Sequence, residues 1–211
     1  MLRDYRAWHD EYDDPDSSLA ERLRVVRARL DELLSAAPSG PVRILSLCAG
    51  QGRDVVGVLA GHWRRVDATA VLIELDPINA RAARHAAAEA GLDGVEVVEG
   101  DAGLSDVYAP FVPADIVVAC GIFGNVSNED VEVTVRNLSM VCGPGAAVIW
   151  TRHRSPPDLT PRIRQWLTES GFTELSFDAL DNATRSAVGT ARLIKAPAPY
   201  RGAFRFFTFL R

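Results

Sequence analysis

The sequence predicts a doubly wound α/β domain: a seven-stranded, mostly parallel sheet with an antiparallel last strand, helices on both faces and an N-terminal helical extension. Three observations carry this. From Pro41 onward short apolar runs alternate with helically spaced ones, which is the pattern of βαβ units. The strand-like runs lack polar alternation, as expected of strands covered on both faces. The last two apolar runs follow one another with no helix between them, and strands joined in that way pair most easily antiparallel.

The bounds agree. At 211 residues, 47% hydrophobic and 24% charged, the chain suits one domain with a full core. A net charge of −5 argues against a generic electrostatic grip on nucleic acid, which needs a basic surface. No apolar run approaches the roughly 20 residues of a membrane span, and the charged N-terminus has no signal-like apolar stretch, so a cytoplasmic protein with no membrane partner is expected. Cys48, Cys120 and Cys142 have no Cys-x-x-Cys spacing and the histidines do not cluster, so buried reduced thiols are expected and no metal site is assigned.

Each element has its reason. Asp16, Ser17 and Ser18 offer an N-cap, and Leu19, Leu23, Val26, Leu30, Leu33 and Leu34 recur at helical spacing until Pro38-Ser39-Gly40 stops the helix. This N-terminal segment, 1–40, precedes the domain of 41–211. There the spacing predicts strand 42–48, helix 52–64, strand 68–75, helix 78–90, strands 94–99 and 114–120, helix 128–140, strand 146–151, helix 159–170 and strand 172–179. Two further strand-like runs, 187–194 and 204–210, are separated by a loop containing Pro197, Pro199 and Gly202.

The motifs sit at strand ends. Ile44 to Leu47 runs into Cys48-Ala49-Gly50-Gln51-Gly52, small residues that let the chain turn tightly and a ligand approach the backbone. The second strand ends at Glu74-Leu75-Asp76-Pro77. A carboxylate there is placed to accept from the hydroxyls of a ribose, and Glu74 is the better candidate, because Asp76 before Pro77 reads as a helix cap. The third strand ends at Gly100-Asp101-Ala102-Gly103, where an acid can meet an exocyclic amine beside room for a ring. The fourth opens into Cys120-Gly121-Ile122-Phe123-Gly124-Asn125. Ligands of doubly wound sheets bind beyond the carboxyl ends of the strands.

With these four segments the chain resembles the class I S-adenosylmethionine-dependent methyltransferases, a Rossmann-like family, over about residues 41–211. The resemblance implies that Ala49, Gly50 and Gly52 line the methionine part of the cofactor, that Glu74 holds the ribose, that Leu75 and Ala102 sandwich the adenine, and that Asp101 meets its amine. Cys120 and Gly121 would lie beside the methyl donor. The family has an acid where Ser46 stands and a glycine where Cys48 stands. Those departures motivate an alternative, a regulatory protein of the same fold that binds S-adenosylmethionine without turnover. A nicotinamide-binding fold would need a third glycine where Val55 stands.

Methyl transfer is an in-line displacement that gains most from alignment, so a general base is optional. His153, past the end of the fifth strand, is the first choice for one, with Arg152 and Arg154 beside it as partners for an anionic acceptor. Trp8-His9-Asp10-Glu11-Tyr12 is the second choice, a lid with His9 and Tyr12 as catalytic candidates. His62 and His85 are expected to face solvent from their helices. The fourth-strand loop lacks the Asn/Asp-Pro-Pro-aromatic element that marks amino-methylating nucleic-acid enzymes, and Cys120 lacks the proline of a cytosine-directed nucleophile. The acceptor expected is a small molecule.

Overall fold

The computed structural model describes residues 11–210. Seven strands form one sheet in the order β3-β2-β1-β4-β5-β7-β6, with β1 Val42–Leu47, β2 Ala68–Glu74, β3 Val95–Glu99, β4 Ala114–Ala119, β5 Cys142–His153, β6 Phe172–Ala179 and β7 Ser186–Leu193. The strands β1 to β5 pair in parallel, whereas β7 runs antiparallel to both β5 and β6. The last strand is thus the antiparallel one, as expected, and it lies inside the sheet with β6 at the edge.

The expected pairing of 187–194 with 204–210 does not form. Residues 204–210 make only isolated bridges, Leu104 with Arg205 and Val126 with Phe209. The partner edge explains this: β7 is already hydrogen-bonded on both sides, so the final aromatic run has no ladder to join. It folds instead across the carboxyl ends of the strands, burying Phe206 and Phe207.

Among the described residues five α-helices cover the sheet: α1 Ser18–Ala36, α2 Val55–Leu59, α3 Pro77–Glu89, α4 Asn128–Asn137 and α5 Thr160–Glu169. Strand pleat sorts the core into two layers. Ile44, Leu72, Val118 and Ile149 meet α1, α2 and α3 through Leu30, Leu34, Val55, Leu59 and Ala83. Leu45, Ile73, Val117 and Val148 meet α4 and α5 through Val131, Val135, Ile163 and Leu167. The N-terminal helix therefore shares the domain's core, capped where Ser17 Oγ accepts from Ala20 N–H at 3.0 Å.

The helix expected over 52–64 is shorter than its pattern, ending at Leu59 and followed by a 3-10 turn Trp63–Val66. His62, expected to face solvent, is buried because it caps that turn: its Nδ1 accepts from Arg64 N–H at 3.0 Å and its Nε2 lies 3.1 Å from Ser35 Oγ. The buried Arg64 guanidinium donates to the carbonyls of Leu34, Ala37 and Gly40, tying the end of α1 to the start of β2. His85 does face solvent, beside Glu89. No helix among the described residues is long and apolar enough to cross a membrane.

Candidate functional site

The carboxyl ends of β1, β2, β3 and β4 open onto a cavity of about 400 Å³, which α1 and the final segment close from either side. Its floor is the turn after β1. Cys48, Gly50 and Gly52 have φ of 55°, 57° and 70°. Cys48 thus adopts the left-handed backbone that a glycine would take there, and the turn keeps its course at a local conformational cost of about 1–3 kcal/mol. At Gly52 a Cβ would lie 2.8 Å from Leu72 Cδ2 and 3.1 Å from Val56 Cγ2, so the residue is small in order to pack on the sheet. The amides of the turn are largely occupied: Ala49 N–H donates to Ile73 O at 2.9 Å, Gly50 N–H to Glu74 Oε2 at 2.7 Å and Gly52 N–H to Ala49 O at 2.9 Å.

Glu74 ends β2 with only 9% exposure. Its second oxygen accepts from Asp76 N–H at 2.8 Å, so two backbone donors fix the carboxylate while each oxygen keeps acceptor capacity. Burial raises its pKa against those donors, which lower it. Leu75 follows with 67% exposure, an apolar lip on the cavity. Asp76 caps α3, accepting from Ile78 N–H at 2.7 Å, as expected. After β3, Ala102 is buried and Asp101 accepts from Gly103 N–H at 2.9 Å and from Arg205 Nη1 at 3.2 Å.

The opposite end of the cavity is built by α1 and α2. Tyr12, in the 3-10 turn Glu11–Asp13, receives a hydrogen bond from Arg22 Nη2 at 3.0 Å and lies under the Arg53 guanidinium at 5.6 Å. Arg53 also pairs with Asp13 at 2.6 Å. Burial raises the Tyr12 pKa, partly offset by Arg22, so its hydroxyl is protonated at neutral pH. Asp54 accepts from Val55 N–H at 2.7 Å, and burial raises its pKa. Burial likewise pushes up the Cys48 and Cys120 thiols. Behind them Gly121 N–H donates to Thr151 Oγ1 at 2.9 Å, and Asn125 Nδ2 donates to Gly121 O at 2.7 Å.

Of the residues expected at the cofactor, Ala49, Gly50, Glu74, Leu75, Asp101, Ala102, Cys120 and Gly121 line this one cavity, and Gly52 does not. Tyr12 lines it as well, whereas His153 does not. His153 ends β5 behind the loop after β4, where a Cβ on Gly124 would lie 3.4 Å from its Cδ2. His9 and Trp8 lie outside the described residues. Arg154 is engaged by Leu180 O at 2.8 Å and Asp181 at 3.2 Å, holding the turn before β7. Sequence reasoning missed Arg22, Leu23, Asp54, Asn125 and Phe209, all of which line the cavity. A signal existed for Asp54, an acid directly after the glycine turn. Arg22 and Leu23 carried none, because their spacing only marks a helix face. Among the described residues no group of three or more His, Cys, Asp or Glu side chains could hold a metal ion.

Residues 21–171, more than half of the chain, match the model of a protein family described as "Putative methyltransferase". The chain belongs to this methyltransferase family. Solved structures agree on the fold. The methyltransferase is similar to magnesium protoporphyrin IX methyltransferase from Synechocystis PCC 6803 with bound SAM, with TM-score 0.70 and 13% identity, covering 90% of this chain and 91% of that one. It is also similar to an O-methyltransferase family protein from Burkholderia thailandensis, with TM-score 0.67 and 18% identity, over 93% of this chain but 62% of that longer one. A third likeness, with TM-score 0.56 and 21% identity, is to an RNA methyltransferase from Salinibacter ruber in complex with S-adenosyl-L-homocysteine, over 83% of this chain and 94% of that one. No curated protein matches the chain in sequence. The methyltransferase has the class I fold, whose methyl donor is S-adenosylmethionine. The residues that line its cavity fit that donor: Glu74 is an acceptor fixed by two amides, and the apolar Leu75 and Ala102 line the cavity together with the acid Asp101.

Proposed function

We propose that this S-adenosylmethionine-dependent methyltransferase acts on a small molecule, and that positioning supplies most of its rate enhancement. The observation that carries the reading is that the oriented carboxylate of Glu74, the exposed Leu75, the pair Asp101 and Ala102, and Tyr12 all line one cavity. The bound donor supplies an electrophilic methyl group on a sulfonium. Everything else falls to the chain. Glu74 accepts from the ribose hydroxyls, Leu75 and Ala102 hold the adenine, and Asp101 accepts from its amine. Tyr12 excludes water from above, fastened by Arg22 and Arg53.

A protonated Tyr12 hydroxyl can donate to an acceptor and orient it, but it cannot take a proton near neutral pH. His153 lies behind the loop of Gly121 to Asn125 and in our reading positions that loop. Alignment of nucleophile and methyl group is then the main source of rate. A small-molecule acceptor is supported by the net charge of −5 and by the carboxylates of Glu74, Asp76, Asp101 and Asp54 around the cavity, which repel a polyphosphate backbone. The test is incubation with methyl-labelled S-adenosylmethionine and a cell extract split into small-molecule, RNA and protein fractions. Label in the small-molecule fraction is expected; label confined to RNA or protein would overturn the acceptor class.

A further inference from the structure

The charged end of the ligand poses a problem that the glycine turn does not solve. An α-amino-acid end carries an ammonium and a carboxylate, and each needs a partner when withdrawn from water. The turn offers little. The amides of Ala49, Gly50 and Gly52 already donate to Ile73 O, Glu74 Oε2 and Ala49 O, and Ser46, where the resemblance implies an acid, is 1% exposed and packed in the sheet. Side chains of opposite charge stand at that end of the cavity instead. Asp54 lines it, accepts from the backbone amides of Val55 and of Asp54 itself, and is in none of the ion pairs found among the described residues. Arg22 lines it from α1, next to Tyr12.

We infer that Asp54 and Arg22 form the receptor for the amino-acid end of the donor, Asp54 taking the ammonium and Arg22 the carboxylate. The inference rests on the methyl-donor reading above. It moves the acid from β1 to the residue after the glycine turn, and it makes the N-terminal helix part of the cofactor site. The electrostatics are consistent: burial raises the Asp54 pKa, and backbone amides, Arg27 and Arg22 offset part of that rise. Neither arginine forms an ion pair with Asp54 among the described residues, so the desolvated carboxylate still gains from a cation in direct contact, and an ammonium is that partner. The receptor also gives selectivity: a nucleoside without the amino-acid end makes neither charge-assisted contact.

Calorimetric titration of the whole chain with S-adenosylhomocysteine and with 5′-methylthioadenosine, which lacks that end, tests this. The wild-type protein is expected to bind S-adenosylhomocysteine at least about 100-fold more tightly, as charge-assisted pairs at two sites allow. In Asp54→Asn and in Arg22→Gln the affinity for S-adenosylhomocysteine is expected to fall about tenfold or more, with that for 5′-methylthioadenosine within about twofold of wild type. Unchanged affinity for S-adenosylhomocysteine in both variants, or a parallel loss for both ligands, would overturn the inference while leaving the donor reading intact. A wild-type protein that binds neither ligand would instead overturn the donor reading beneath it. Asn is isosteric with Asp and retains the acceptor for Val55 N–H, so the variant keeps the local fold.

Discussion

At the scale of single residues, the site keeps two carboxylates where water is scarce, and that has opposite effects on binding and on stability. Burial is the first cause that raises the pKa of both Glu74 and Asp54. A carboxyl whose folded pKa lies above its unfolded value binds more protons in the native state. Its contribution to stability is therefore present below the unfolded value, near 3.8 for Asp and 4.5 for Glu, and is lost as pH rises through the folded pKa. At neutral pH the ligand-free protein carries that loss. Asp54→Asn is accordingly expected to raise the melting temperature of the ligand-free protein at pH 7 by about 2–4 °C, equivalent to about 1 kcal/mol at this chain length, with the gain shrinking as pH falls toward 4. Thermal denaturation across pH checks it; a lowered melting temperature at pH 7 would contradict the desolvation argument. Glu74→Ala removes the oriented acceptor and leaves the amides of Gly50 and Asp76 unpaired. It is expected to weaken S-adenosylhomocysteine binding by about 1–3 kcal/mol, and an unchanged dissociation constant would refute the ribose role.

Much of this site was legible residue by residue, and the reason is local. A ligand wall made by strand ends is written in contiguous sequence, so Gly50, Glu74, Asp101 and Ala102 could each be read where they stand. Cys48 was legible as a departure but not in its consequence, since only φ of 55° shows that it does the work of a glycine. Arg22 and Phe209 were not legible, because they reach the cavity from elements distant in sequence, and nothing local marks a helix face or a terminal run as ligand-facing.

Among elements, β7 packs where it does because Gly189 carries no side chain. Gly189 pairs with Trp150 across β5 and β7, and a Cβ on it would lie 2.3 Å from Trp150 Cε2. The indole covers the strand at this point and cannot give way, being fully buried between Phe123 and Phe177. Gly189→Ala is expected to destabilise the protein by about 1–3 kcal/mol as an overpacked core position, measured by urea denaturation; a neutral effect would mean that the ring shifts freely. The same element explains the misread terminus. Strand-like composition at 204–210 reports apolar burial, which is real at Phe206 and Phe207. Ladder pairing needs a free edge, and β7 has none. The run instead bonds to the site's own loops, Phe206 N–H to Gly103 O at 2.8 Å and Leu210 N–H to Asn125 O at 2.8 Å. The expected long helix after the glycine turn fails for a local reason. Gly61 and the 3-10 turn Trp63–Val66, capped by the buried His62, follow Leu59 and turn the chain toward β2, while Arg27 of α1 packs over Gly57 of α2.

For the whole molecule, the fold was legible because alternation of apolar runs is a global pattern that tolerates local errors. The relation of the N-terminal segment to the rest was not. Leu30, Leu33 and Leu34 of α1 lie in the same core layer as β1 and β4, and Tyr12 and Arg22 line the cavity, so the stretch from Tyr12 through α1 completes the domain. Loss of residues 1–16, which include Tyr12 and the Asp13 partner of Arg53, is expected to weaken ligand binding more than it lowers stability, since α1 and its core contacts remain. Parallel calorimetry and melting curves of that truncation check it, and full binding by the truncated chain would contradict the roof assigned to Tyr12. The central claim, that the cavity is a methyl-donor site, is tested most directly by titrating the intact protein with S-adenosylhomocysteine in a calorimeter. One equivalent bound with a dissociation constant of about 1–100 μM, or about 5–8 kcal/mol, is the result expected; no heat of binding at millimolar ligand would contradict it.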